Sequence, residues 1–302
     1  VSKRPHIPVL IDEVLEFFKD KTLKVFMDGT MGAAGHAKKI LETHPEIEIF
    51  IGFDKDMHAL EIAEKELDPW KGKLRLKNGD FASAPIYLKE EKIDCLDGVL
   101  LDLGVSSMQL DSKTRGFSFM HEAPLDMRMD TNSDLTAEKV VNEFPENKLA
   151  EIFLKYGEEF QYKKIAKAIA IARKKKRIKS TIDLVQVISP VLQRKRGRRR
   201  IHPATLVFQA LRIYVNHELD SVEQGVGSAI EHLCPAGRIG VISFHSLEDR
   251  IVKNIFRSNK KAKILTKKPL IATQEEKKAN PRSRSAKLRF AEKIEGDEDA
   301  NN

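Results

Sequence analysis

The strongest constraint on the fold is the alternation, over the first hundred residues, of short apolar runs with amphipathic stretches. Residues 24–27 (KVFM) read as a buried strand that leads into the turn DGTMGAAG and then a helix over about 36–42. A second strand follows at 48–53 (EIFIGF), then a helix over 57–67 whose Leu60, Ala63 and Leu67 recur at helical spacing. A short strand at 74–76, a helix at 84–91 and a fourth strand at 97–103 continue the series. Strands of this kind, joined by helices long enough for crossovers, predict an α/β fold with a parallel, doubly wound sheet buried on both faces.

The rhythm stops between residues 107 and 202, where the sequence predicts helices at 149–154, 162–176 and 181–193. His202-Pro203 opens a further helix that runs to about 219, because proline is tolerated in the first helical turn. Strands then return at 238–243, 263–266 and 287–291, with a helix after Ser246. The expected organisation is a discontinuous domain, 1–112 with 208–302, interrupted by an all-helical insertion at 113–207.

Charge sharpens that division. The 302 residues carry 53 Lys and Arg against 45 Asp and Glu, a net +8. Residues 163–200 alone hold 15 basic side chains and one acid, Asp183, so the rest of the chain is net −6. A basic block on a mildly acidic protein is the electrostatic footprint of a polyanion partner. The two cysteines, Cys95 and Cys234, lie 139 residues apart and form no C-x-x-C pair, which argues against a disulfide and against a thiolate zinc site. The chain also lacks an apolar stretch of membrane-spanning length, so the sequence predicts a soluble cytoplasmic protein with no metal and no membrane partner.

Ligands of open α/β sheets bind beyond the carboxyl ends of the strands. The first such end holds Asp28-Gly29-Thr30-Met31-Gly32-Ala33-Ala34-Gly35-His36. Small residues there let a ligand approach the backbone, and the next helix offers its N-terminal amides. A dinucleotide fingerprint needs Gly at i, i+2 and i+5, but Thr30 stands in the first place before Gly32 and Gly35. Asp28 adds a carboxylate that would cost roughly 3 kcal/mol about 5 Å from a pyrophosphate. S-adenosyl-L-methionine, which carries a sulfonium and an ammonium and no phosphate, suits an acidic loop better. Asp54, 22 residues beyond Gly32, ends the second strand where an acid binds ribose hydroxyls; Asp80 with Phe81, and Asp102, end the next two.

Nine segments, among them HIPVLIDEVL (6–15), DGTMGAAGHA (28–37), LLDLGVSSMQLD (100–111), HPATLVFQALRIYVN (202–216), SFHSLEDR (243–250) and NPRSRSAKLR (280–289), together resemble the bacterial ribosomal small-subunit methyltransferase H family, also called MraW. The resemblance implies a class I S-adenosylmethionine-dependent methyltransferase fold, Rossmann-like with a doubly wound sheet. It also implies N4-methylation of a cytidine at the decoding centre of 16S rRNA in the small ribosomal subunit. It assigns cofactor contacts to Ala34, Gly35, His36, Asp54, Phe81, Asp102 and Gln109, with Ala34 where glycine is usual.

For the chemistry, Asp102 or the backbone carbonyls after it are candidates to accept the amine proton. Phe244 is a candidate to stack on a flipped cytosine and His245 to hydrogen-bond it; a bland reading makes Phe244 core and Ser246 with Asp249 a helix cap. RNA phosphates are expected at Lys174, Lys175, Lys176, Arg177, Arg194, Lys195, Arg196, Arg198, Arg199 and Arg200. Arg282, Arg284, Lys287 and Arg289 are expected to join them from the C-terminal part. A noncatalytic RNA-binding or assembly protein and an NAD-dependent oxidoreductase are the competing classes.

Overall fold

A computed structural model describes residues 7–192, 202 and 204–294. The chain divides into two compact units, Val1–Gly104 with Leu219–Asn302, and Val105–Glu218. The first begins with α1 (Ile11–Phe18), β1 (Val25–Asp28), α2 (Gly35–Thr43), β2 (Ile49–Asp54), α3 (Met57–Glu66), β3 (Leu74–Asn78), α4 (Ala84–Glu90) and β4 (Leu96–Asp102). The second unit carries α5 (Ser107–Asp111), α6 (Ala137–Glu143), α7 (Glu146–Gly157), α8 (Tyr162–Lys175), α9 (Thr181–Ile188) and α10 (Thr205–Asn216). The chain returns through α11 (Glu218–Glu231), β5 (Leu233–Ser243), α12 (Ser246–Ser258), β6 (Ala262–Ile264), α13 (Gln274–Ala279) and β7 (Lys287–Lys293).

The sheet of the first unit has the order β3-β2-β1-β4-β5-β7-β6. Strands β1 to β5 are parallel, and β7 runs antiparallel between β5 and β6. This is the doubly wound α/β fold expected of a class I methyltransferase. Alternation along each strand splits the core between the two faces: Phe26 and Leu100 join Phe18, Phe50 and Phe290 on one side, while Met27, Val99 and Leu101 join Ile51 and Phe53 on the other. The order reverses between β1 and β4, so the carboxyl ends of β1, β2, β4 and β5 border the switch-point crevice.

The second unit is helical and has its own core. Helix α10 contributes Val207, Phe208, Ala210, Leu211 and Val215 to it, against Leu149, Ile152 and Phe153 of α7 and Ile165 and Ile169 of α8. That packing moves the boundaries to Gly104/Val105 and Glu218/Leu219, where the sequence pattern places them at 112/113 and 207/208. Apolar periodicity identifies α10 as a helix; it does not say which core the apolar face enters.

Cys95 and Cys234 form a disulfide, contrary to expectation. Leu96 of β4 pairs with Leu233 of β5 just before a register shift, and where β5 departs from regular pairing Cys234 lies beside Cys95 at a Cα separation of 4.9 Å. Sequence spacing is blind to this register. Among the described residues no helix is long and apolar enough to cross a membrane.

Candidate active site

The loop after β1 is braced from below. Asp28 is buried, and its Oδ1 accepts the Thr30 amide at 3.0 Å and the Thr30 hydroxyl at 3.4 Å; Thr30 Oγ1 in turn accepts the Asp102 amide at 2.6 Å. One threonine thus ties the end of β1 to the end of β4. Burial pushes the Asp28 carboxyl up to about 6 against the opposing pull of the Thr30 amide. Beyond it the chain turns twice into the left-handed region, at Gly32 (φ 51°) and at Ala34 (φ 63°), which stands just ahead of α2. Ala34 holds a conformation that costs an L-residue about 1 kcal/mol and would cost glycine nothing.

Asp54 ends β2 and spends its carboxylate on backbone amides, Gly32 N–H at 2.8 Å to Oδ2 and Asp56 N–H at 2.8 Å to Oδ1. The Gly32 amide, which a dinucleotide pyrophosphate would need, is therefore already taken. Burial raises the Asp54 carboxyl to about 6. After β3, Asp80 accepts the Ala82 amide at 2.9 Å, pairs with Lys55 Nζ at 2.8 Å and accepts the hydroxyl of Ser221 from α11. Burial works to raise its carboxyl, but the Lys55 ammonium holds it below the usual range. The Phe81 ring is buried against Gly225 of α11, so on this side it is core.

Asp102 is the exception to this pattern of engaged carboxylates. Its Oδ1 is buried with no hydrogen-bond partner among the described residues. Its Oδ2 lies 3.5 Å from Nδ1 of His36. Burial first, and then the charge of Glu248, pushes the Asp102 carboxyl up to about 7. The buried His36 sits in the first turn of α2 and donates from Nε2 to the Val9 carbonyl at 2.9 Å, which leaves Nδ1 as the lone-pair nitrogen toward Asp102. Burial lowers its pKa, so the ring is held neutral.

The loop after β5 meets the loop after β4. The Phe244 ring is half-buried and borders Gly104, where φ is +95°. Glu248, almost fully buried, accepts the amides of Phe244 at 2.8 Å and His245 at 3.2 Å on Oε2, while His245 Nδ1 accepts the Glu248 amide at 3.3 Å. The capping box of α12 is therefore His245 with Glu248, one residue before the Ser246 and Asp249 expected from the sequence. With Nδ1 accepting the Glu248 amide, His245 acts here as a helix cap, and the Phe244 backbone is fixed by Glu248.

Gln109 lies in the second unit, where it closes a capping box at the start of α5 with Ser106. Lys174 and Lys175 are exposed on the last turn of α8. Lys176 pairs with Asp183 at 3.3 Å, and Arg177 with Glu138 at 2.7 Å and Glu143 at 2.9 Å. Arg282 is half-buried and Arg284 exposed on a 3-10 turn, Pro281–Ser285. Lys287 and Arg289 are not open to phosphate as expected: both pair with Asp249, at 3.1 Å and 2.7 Å, and clamp α12 to β7. Arg194, Lys195, Arg196, Arg198, Arg199 and Arg200 lie outside the described residues. Sequence reasoning missed Lys55, Ser221 and Glu248; the only local signal was the acid three residues after His245.

The crevice of the first unit is thus bordered by Asp28, Asp54 and Asp102, its nearby lysine is neutralised by Asp80, and its histidine is uncharged. That donor set fits a sulfonium and an ammonium and opposes a pyrophosphate.

Comparison with known proteins places these residues in a wider group. The model of the MraW methylase family matches residues 3–294. The chain is 50% identical to Ribosomal RNA small subunit methyltransferase H of Protochlamydia amoebophila, over 97% of this chain and 98% of that one. It is 50% identical to the protein of the same name from Persephonella marina (96% and 99% covered) and 47% identical to that from Thermotoga neapolitana (96% of each).

Proposed function

The chain belongs to the MraW methylase family, and from that premise we propose that it methylates N4 of a cytidine in the decoding region of 16S rRNA. The donor is S-adenosyl-L-methionine, the macromolecular substrate is the small ribosomal subunit, and the compartment is the cytoplasm. The inserted unit recognises the RNA. The observation that carries the reading is Asp102, a buried carboxylate at the end of β4 with one oxygen left without a partner among the described residues and a pKa raised to about 7.

When bound, S-adenosylmethionine supplies a methyl group already activated by its sulfonium. The lone pair of the cytosine amine is delocalised into the ring, so the protein contributes alignment and a proton acceptor. Asp54, each of whose oxygens keeps a lone pair beside the amide it accepts, would take the ribose hydroxyls, and the acidic rim would hold the ammonium. Phe244, with its backbone pinned by Glu248, gives the base a ring face to lie on. The donor would supply the methyl group to N4, and Asp102 Oδ2, the carboxylate oxygen beside His36, would take the proton that N4 loses. The neutral acid so formed hydrogen-bonds from Oδ2 to the lone pair of His36 Nδ1, and the Val9 carbonyl keeps that ring in the required tautomer.

The test is labelled methyl transfer to small subunits that lack the modification, followed by mapping of the modified nucleotide. Asp102→Asn lowers turnover by about 100-fold or more, while the calorimetric affinity for S-adenosylmethionine changes far less. Near-normal turnover in that variant removes Asp102 from catalysis.

A further inference from the structure

We propose that Phe160 and the lysine-bearing face of α8 form a docking surface for a single-stranded RNA segment, with one base stacked on Phe160 and the following phosphates held by Lys164, Lys167 and Lys174. This deepens the rRNA reading above and rests on it. Phe160 is 87% exposed, the most exposed of the large apolar side chains described. A phenylalanine left in water forgoes about 2 kcal/mol of burial, so its position calls for a use.

The backbone that presents it is fixed. Glu158 closes α7 in the left-handed region, with its amide on Leu154 O at 3.1 Å, and the Glu159 amide bonds Phe153 O at 3.2 Å. Glu159 is buried and turns back to accept the Gln161 amide on Oε1 at 2.9 Å and the Tyr162 amide on its carbonyl at 3.2 Å. The turn between α7 and α8 is thus hydrogen-bonded at each residue flanking Phe160. A ring carried on such a turn binds without paying to order its backbone.

Lys164, Lys167, Ile171 and Lys174 follow at intervals of three and four residues, one face of α8. All four side chains are exposed, and the lysines make no ion pair with a described acid, in contrast to Lys176 and Arg177 on the next turn. From residue 164 to 174 the face runs about 15 Å, the reach of roughly four phosphates along one strand. Unpaired lysines behind an exposed aromatic select a polyanion with accessible base faces, which is single-stranded RNA and not an apolar protein partner.

The experiment measures binding of the full chain to a fluorescent single-stranded oligocytidylate across a range of salt concentrations. Phe160→Ala is expected to weaken binding about tenfold at every salt concentration, with the salt slope unchanged and with Phe160→Trp restoring affinity. Replacing Lys164 and Lys167 by Gln is expected to flatten the slope by about 1.4. Wild-type affinity in Phe160→Ala, or a variant that alters only the slope, overturns the proposal. So does a wild type that sediments as a dimer while Phe160→Ala sediments as a monomer, which would make this face a self-contact. Methyl transfer by the wild type to small subunits is measured in parallel. If no transfer occurs while Phe160→Ala still binds tenfold more weakly, the docking surface stands and the rRNA-methylation reading falls. If transfer occurs and Phe160→Ala binds normally, only the docking surface falls.

Discussion

At the scale of single residues the site is a set of carboxylates taken out of water, and each pays for its position in the pH dependence of folding. Asp28 and Asp54 are raised to about 6 and Asp102 to about 7, all above the unfolded value near 3.9. As pH rises from about 4 toward 7 the unfolded chain loses these protons first, so stability is fully present below pH 4 and falls through the folded pKa values. Asp102→Asn removes the largest such penalty. That variant should be more stable than wild type at pH 8 by about 1–3 kcal/mol and no more stable near pH 4, as read by denaturant titration at the two pH values. Activity runs the other way. A proton acceptor must be ionised, so kcat/KM of the wild type should climb with pH and level off above about 7. A profile flat between pH 6 and 8.5 would assign the proton to another group. A merely structural aspartate predicts neither the inflection nor a variant that is both more stable and less active.

At the scale of elements the site depends on how helices meet strand ends. Helix α11 carries Gly225 where the Phe81 ring lies against the helix, and a Cβ added there would enter the ring. Gly225→Ala should therefore cost about 1–3 kcal/mol of stability. Because Phe81 opens the turn after β3, next to Asp80 and its Lys55 and Ser221 partners, the same change should weaken S-adenosylmethionine binding in calorimetry. Unaltered stability would mean that the ring has room to move aside. The positions of Asp28, Asp54 and Asp102 were legible in the sequence for a simple reason. Apolar runs mark strand ends, and a parallel sheet gathers those ends at one edge. The partners that set their charge were not, since Ser221 reaches Asp80 across 141 residues and Val9 reaches His36 across 27. The true start of β5 was hidden as well. The sequence places the strand at 238–243, yet it begins at Leu233 and runs through Pro235, Ala236 at φ 60° and Gly237, with a register shift between Leu96 and Gly98 of β4.

At the scale of the whole molecule the ruling quantity is the distribution of charge. A net +8 becomes +14 over residues 163–200 and −6 elsewhere, so a polyanion is drawn to one part of the sequence while the crevice of the first unit stays acidic. This arrangement separates the two binding tasks. On the proposed reading, phosphates are met by lysines of the helical unit, such as Lys164, Lys167, Lys174 and Lys175, and the cationic donor by carboxylates at the strand ends. The pairing of Lys176, Arg177, Lys287 and Arg289 with acids reduces the basic set that is open to RNA. About five phosphate contacts then predict a slope of log affinity against log salt near −3.5 for a single-stranded segment of rRNA. The affinity for S-adenosylmethionine, whose charges are small in number and held in a partly buried crevice, should change far less over the same salt range. Parallel titrations of both ligands between 50 and about 200 mM salt read the two slopes. A steep dependence for the donor, or a flat one for the RNA, would mean that the two charge regions do not serve separate ligands.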